Sequence, residues 1–186
     1  AVAPSSEWPG MVSGPGGGGS PAVVRASASL EAESCSSVLC PSCASAGEAA
    51  SASAQNWPQF RGPTGQGTSD EQGLPLKWSE TSNVRWKVPI PGKGWSSPVV
   101  QGDRIWLTTA AEEGKSLRAI SIDRNSGAIV QNVEVFRLKS AKLTNPKNSF
   151  ASPTPIIEGD RVFVHFGPYG TAALTTSGQI LWKVRL

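Results

Sequence analysis

Residues 95–107 read WSSPVVQGDRIWL, and residues 150–166 read FASPTPIIEGDRVFVHF. Ser97-Pro98-Val99-Val100-Gln101-Gly102-Asp103-Arg104-Ile105-Trp106-Leu107 matches Thr154-Pro155-Ile156-Ile157-Glu158-Gly159-Asp160-Arg161-Val162-Phe163-Val164 without a gap, at a shift of 57 residues. Every change across the eleven positions keeps the residue type. Self-similarity at a period of this size is what repeat architectures leave in a sequence.

Each copy places two short apolar runs on either side of a four-residue break that contains Gly-Asp. Glycine supplies positive φ and aspartate bonds its own turn backbone, so the phrase predicts a β-hairpin. A second pair of phrases follows, AISIDRNSGAIV at 119–130 and AALTTSGQILW at 172–182. Asp123 and Gly127 are placed to close the first of these turns. The second keeps Ser177-Gly178 but carries Thr175 where Asp is expected. Three segments close in a similar way: VRWKVPI (84–90), AIVQNVEVF (128–136) and QILWKVRL (179–186). Alternation at Val84, Trp86, Val88 and at Ile180, Trp182, Val184 has the period of a half-buried strand. Each unit therefore reads as a meander of four antiparallel strands with no helical stretch, the pattern of a β-propeller blade. The expected class is all-β, a partial β-propeller. Two blades alone leave sheet faces and edges open, so the chain is expected to be a fragment whose first partners are the remaining blades of its own ring.

The blades occupy 56–186, where Trp57, Trp78, Trp86, Trp95, Trp106 and Trp182 appear among short Val and Ile runs. Residues 1–55 are mostly Ala, Ser, Gly and Pro, with the run Gly16-Gly17-Gly18-Gly19. Such a composition buries too little apolar surface to offset chain entropy, so this segment is expected to be a disordered, signal-like tail. Its Ala52-Ser53-Ala54 has the pattern that signal peptidase cuts, although the apolar stretch around Val38-Leu39 is poor. An extracytoplasmic location is the expectation. Cys35, Cys40 and Cys43 all lie in this tail, and their spacing lacks a fourth ligand and an ordered frame, so no metal site is assigned. No run reaches the ~18 apolar residues that cross a bilayer. The net charge of +3 comes without a Lys/Arg cluster interleaved with aromatics, which argues against nucleic acid as a partner.

SIDRNSGAIV and ALTTSGQILW resemble the A-x-D-x-x-[ST]-G-x-x-x-W motif of the quinoprotein-like (PQQ-repeat) β-propellers. NWPQFRGPTGQG (56–67) and NVRWKVPIPGKGWSSPVV (83–100) are similar to the start of PQQ-like repeat proteins of planctomycete-type bacteria, often labelled by analogy with BamB, an outer-membrane assembly lipoprotein. The resemblance implies a ring of eight blades, of which this chain spans about the first two. It also implies that a closing Trp docks on the Gly-containing turn of an adjacent blade, which gives that role to Trp86 and Trp182. Gln131 replaces the Trp of the middle unit.

Two functions follow from the resemblance: a non-catalytic binding or assembly platform, or a dehydrogenase that holds PQQ and Ca2+ on the propeller axis. The core lacks the adjacent Cys-Cys pair often seen in such dehydrogenases, and no Asp or Glu stands in a catalytic setting. No catalytic residue and no cofactor are therefore assigned to this stretch. Recurrence of Gly102-Asp103 and Gly159-Asp160 at one hairpin place gives them a turn role. Trp95 with Ser96, and Asn148 with Ser149, precede the first strand of their blades, where propeller loops face the central channel. They are the ligand-binding candidates together with His165, the single histidine. The bland alternatives are packing between blades for Trp95 and a satisfied strand-end histidine for His165. The partner, protein or glycan, is not named by these residues, and the basic loop 139–147 offers a rim contact or a solvated turn.

Overall fold

The computed structural model describes the backbone of residues 22–26 and all of 55–72, 74–140, 145 and 148–186. Cys35, Cys40, Cys43, Ala52-Ser53-Ala54 and most of the basic loop 139–147 lie outside the described residues.

Among the described residues ten strands follow in chain order: β1 (Ala22–Ala26), β2 (Trp86–Ile90), β3 (Val99–Gln101), β4 (Arg104–Ala111), β5 (Ser116–Asp123), β6 (Ile129–Arg137), β7 (Ile156–Glu158), β8 (Arg161–His165), β9 (Thr171–Thr175) and β10 (Ile180–Val184). Among the described residues the only helical pieces are 3-10 turns at Glu112–Gly114 and Gly167–Tyr169. β3-β4-β5-β6 and β7-β8-β9-β10 each form a four-stranded antiparallel meander, so the repeat in the sequence is a repeat of two propeller blades.

Alternation divides the first blade cleanly. Ile105, Leu107, Ile120 and Ile122 pack on one face with Ile90, Trp86 and Val88 of β2. Trp106, Leu117, Ala119 and Phe136 point to the other face, where they meet Ile157, Val162, Val164, Phe166, Ala172 and Leu174 of the second blade. Phe136 and Phe166 meet edge to face across this joint, with centroids 6.0 Å apart. Both rings are buried, so the joint is a shared core.

A short segment ahead of the blades ties their innermost strands. Trp57 exchanges two backbone bonds with Val100 of β3, at 2.8 and 2.9 Å, and Ile157 of β7 donates to Pro58 O at 2.8 Å. Asn56 Oδ1 accepts from Gly102 N at 2.8 Å.

One stretch differs from the expectation of a structureless segment through residue 55. Ala22–Ala26 forms β1, antiparallel to β2 from Ala22↔Ile90 to Ala26↔Trp86. Its Val23-Val24 pair favours extended backbone, and β2 offers the unpaired groups of an edge strand.

Candidate functional site

The meander gives each blade two ends. One carries the Gly-Asp hairpins and the β5–β6 and β9–β10 turns. The other carries the β4–β5 and β8–β9 turns and the segments that lead into β3 and β7.

At the first end the turns are built alike in both blades. The Asp123 carboxylate accepts from Ser126 N and Ser126 Oγ, each at 2.9 Å, from Asn125 N at 3.1 Å, and from Arg104 Nη1 at 3.0 Å. The Ser126 amide and hydroxyl lower the Asp123 pKa most, with Asn125 and Arg104 adding to them. Thr175 takes over part of this work: its Oγ1 accepts from Gln179 N at 3.0 Å and meets Ser177 Oγ at 2.7 Å. The neighbouring hairpins tie in identically, since Arg124 N donates to Asp103 O and Thr176 N to Asp160 O, both at 2.9 Å. Gly102 and Gly159 sit at the hairpin bends with φ of 54° and 59°.

A folded-state pKa below the ordinary 3.8 means that the Asp123 contribution is fully present above that value. It is lost as pH falls through the lowered folded pKa. Acid titration of the melting temperature is expected to fall in that window, and Asp123→Asn is expected to flatten the fall.

The docking places are visible here as well. Trp86 lies on Gly127: a Cβ there would fall 2.6 Å from Trp86 Cδ2, and Trp86 Nε1 donates to Arg124 O at 2.9 Å. Gln131 holds the same place one blade on, its Nε2 donating to Thr176 O at 3.4 Å and its side chain 3.1 Å from where a Gly178 Cβ would stand. An amide thus occupies the seat of the indole. A register shift turns it there: Ile122 faces Ile129 while Ser121 faces Gln131, so one extra residue sends Gln131 to the face opposite Ile129. The same shift stands between Ile180 and Trp182. The motif put Gln131 at the Trp position of the middle unit, four residues after Gly127 as Trp182 stands after Gly178, but did not show that an amide docks there. Gly127→Ala is expected to push the Trp86 ring off its seat and cost about 2–3 kcal/mol, read by chemical denaturation.

At the opposite end, Trp95 N and Ser96 N both donate to Ala151 O, at 3.1 and 3.2 Å. Ser96 is buried, and its Oγ accepts from Thr108 N at 3.0 Å. Ser97 N donates to Thr154 Oγ1 at 3.1 Å, joining equivalent positions of the two repeats. Ser96 is therefore committed to the joint, whereas the Trp95 side chain is 40% exposed. Asn148 is exposed and Ser149 half-buried; Ser149 N donates to Asn148 Oδ1 at 2.8 Å, and Ser152 Oγ reaches both Asn148 and Ser149 O. Phe150 meets Tyr169 edge to face at 4.6 Å. The two loops are brought together through Ala151.

His165 is not part of this group. It is in phase with Phe163 and out of phase with the buried Val162 and Val164, so it lies on the face of the second blade that points away from the first. Its Nδ1 pairs with Thr171 Oγ1 at 2.9 Å. Trp182 shares that face, 6.3 Å from Phe163 and 44% exposed. Among the described residues no group of three or more His, Cys, Asp or Glu is placed to hold a metal ion, and no helix is long and apolar enough to cross a membrane.

No known family model matches this chain, and no curated protein does. Among solved structures, BamB from Moraxella catarrhalis is similar at 20% identity with a TM-score of 0.37, covering 56% of this chain and 28% of that one. A europium-containing methanol dehydrogenase is similar at 13% identity with a TM-score of 0.39, covering 55% of this chain and 19% of that one. The chain spans less than a third of either.

Proposed function

We propose that these blades belong to a PQQ-repeat β-propeller of the BamB-like kind, which acts outside the cytoplasm as a non-catalytic binding or assembly platform. The observation that carries this reading is the division of labour among its polar groups. The side chains of Asp103, Asp123, Ser96 and His165 make hydrogen bonds within the fold, and Asp160 takes part through its backbone carbonyl. What faces outward at the loop end is the Trp95 side chain, whose backbone is held by Ala151, beside the Asn148-Ser149 loop. A rigidly mounted, half-exposed tryptophan next to amide and hydroxyl groups suits contact better than proton transfer. The proposal assigns no cofactor to these two blades.

The test is a titration of the intact, purified protein with PQQ and Ca2+, followed by addition of an artificial electron acceptor. No uptake at micromolar PQQ is the expected result. Uptake with acceptor reduction would replace the platform by the dehydrogenase. Trp95→Ala is expected to weaken capture of the partner at least tenfold, consistent with a central aromatic contact, while leaving the melting temperature within about 2 °C.

A further inference from the structure

β2 is the closing strand of a unit, equivalent to β6 and β10. Its Trp86 seats on Gly127 as Gln131 seats on Gly178. In complete units the closing strand pairs with a third strand, β5 or β9, and the residue opposite the docking position is Ser121 or Ala173. Opposite Trp86 stands Ala26 of β1, in the same antiparallel sense. The segment Ala22–Ala26 thus lies in the third-strand slot, in third-strand register.

It comes from elsewhere in the pattern. The third strands lead into turns built on Asp123-Arg124-Asn125-Ser126-Gly127 or Thr175-Thr176-Ser177-Gly178, and they carry buried apolar residues at Ile120, Ile122, Ala172 and Leu174. The sequence after Ala26, Ser-Ala-Ser-Leu, has no such turn, and Arg25 stands at the register position of Ile120 and Ala172. Pro89 within β2 further lowers the number of backbone donors available for pairing.

We infer that Ala22–Ala26 is a surrogate third strand, a strap that covers the inner edge of β2 until a genuine third strand of this repeat displaces it. An edge strand left bare is a template for pairing with other chains. The strap supplies backbone bonds to that edge without the apolar alternation and turn that would make its hold permanent.

The test uses the whole chain and a labelled peptide of its own third strand, Ser116–Asp123 (SLRAISID). Val23→Pro with Val24→Pro removes donors from both phases of β1. This double variant is expected to bind the peptide about tenfold more tightly than the unaltered chain, because the slot is no longer occupied. The Lys87 and Val88 amides point to opposite edges of β2, and the one directed at β1 should lose exchange protection in the variant and regain it with peptide. In the unaltered chain, saturating peptide should speed exchange at Ala22–Ala26. Equal affinity for both chains, failure to bind either, or unchanged exchange at Ala22–Ala26 under saturating peptide would each overturn the inference. The last measurement needs no variant, so it decides the matter even where the prolines impair folding.

Discussion

Phe166→Ala is expected to lower the melting temperature by roughly 10–20 °C, the equivalent of about 3–5 kcal/mol for truncating a fully buried aromatic. Phe166 follows β8 and is completely enclosed by residues of both blades. Its truncation removes the edge-to-face contact with Phe136 and opens a cavity at the joint. Lys183 Nζ and Arg185 stand 5.9 and 5.7 Å from the Phe136 ring, and Lys183 also donates to Val135 O at 3.2 Å. These long side chains cross from β10 and the residue just after it to the outer strand of the first blade, so they depend on the same joint. Thermal melting of Phe166→Ala beside Phe60→Ala separates the cases, because Phe60 is largely exposed and its loss should move the midpoint little. Equal effects for the two variants would mean that the joint contributes no stability.

Gly170→Ala is expected to cost about 4 kcal/mol, from backbone strain and overlap together. Gly170 has φ of 122°, a region that side-chain-bearing residues avoid, and an added Cβ would overlap the carbonyl oxygen of Val184. The neighbouring Thr171 pairs with Val184 in the β9–β10 ladder. Relief of the overlap therefore has to lift the end of β10 away from β9. Hydrogen exchange should accelerate at the Val184 end of β10 before it does in β8. Gly102→Ala is the control, since its Cβ would meet nothing within 4 Å. Only the cost of its positive φ remains there, about 1 kcal/mol. A Gly170 variant no worse than the Gly102 variant would show that β10 yields freely.

The blade itself was legible in the sequence because its signals are local. Apolar runs of β-formers mark Ile105-Trp106-Leu107 and Val162-Phe163-Val164, two-residue alternation marks Val84, Trp86, Val88 and Ile180, Trp182, Val184, and Gly-Asp and Ser-Gly mark where the chain turns. What stayed hidden depends on register or on long-range packing. The extra residue at Val130 cannot be seen in a list of apolar residues, yet it sends Gln131 into the next blade's turn. A glutamine has neither the shape nor the hydropathy of the indole it replaces, so only its offset from Gly127 betrays it. The candidate site divides for the same reason. Trp95, Ser96, Asn148 and Ser149 are adjacent to two blade starts that Ala151 joins. His165 looks like one of them by position in its unit but belongs to the opposite face, because phase along β8 decides where it points. Burial of Ser96 follows from Thr108, twelve residues downstream. The pairing of Ala22–Ala26 with Trp86–Ile90 spans most of the sequence before β3, and nothing local announces it.

The Asn56–Pro58 tie has a geometrical effect beyond closing two inner edges. β3 and β7 stand side by side, and the angle from one blade to the next is constrained where they meet. Trp57 holds one strand and Pro58 the other, so adjacent peptide units fix that spacing with little play. Curvature in stacked repeats accumulates from the rotation of each unit on its neighbour. A tripeptide that spans β3 and β7 thus works as a gauge for the angle between these two blades, and a small change in its length would tilt the second against the first.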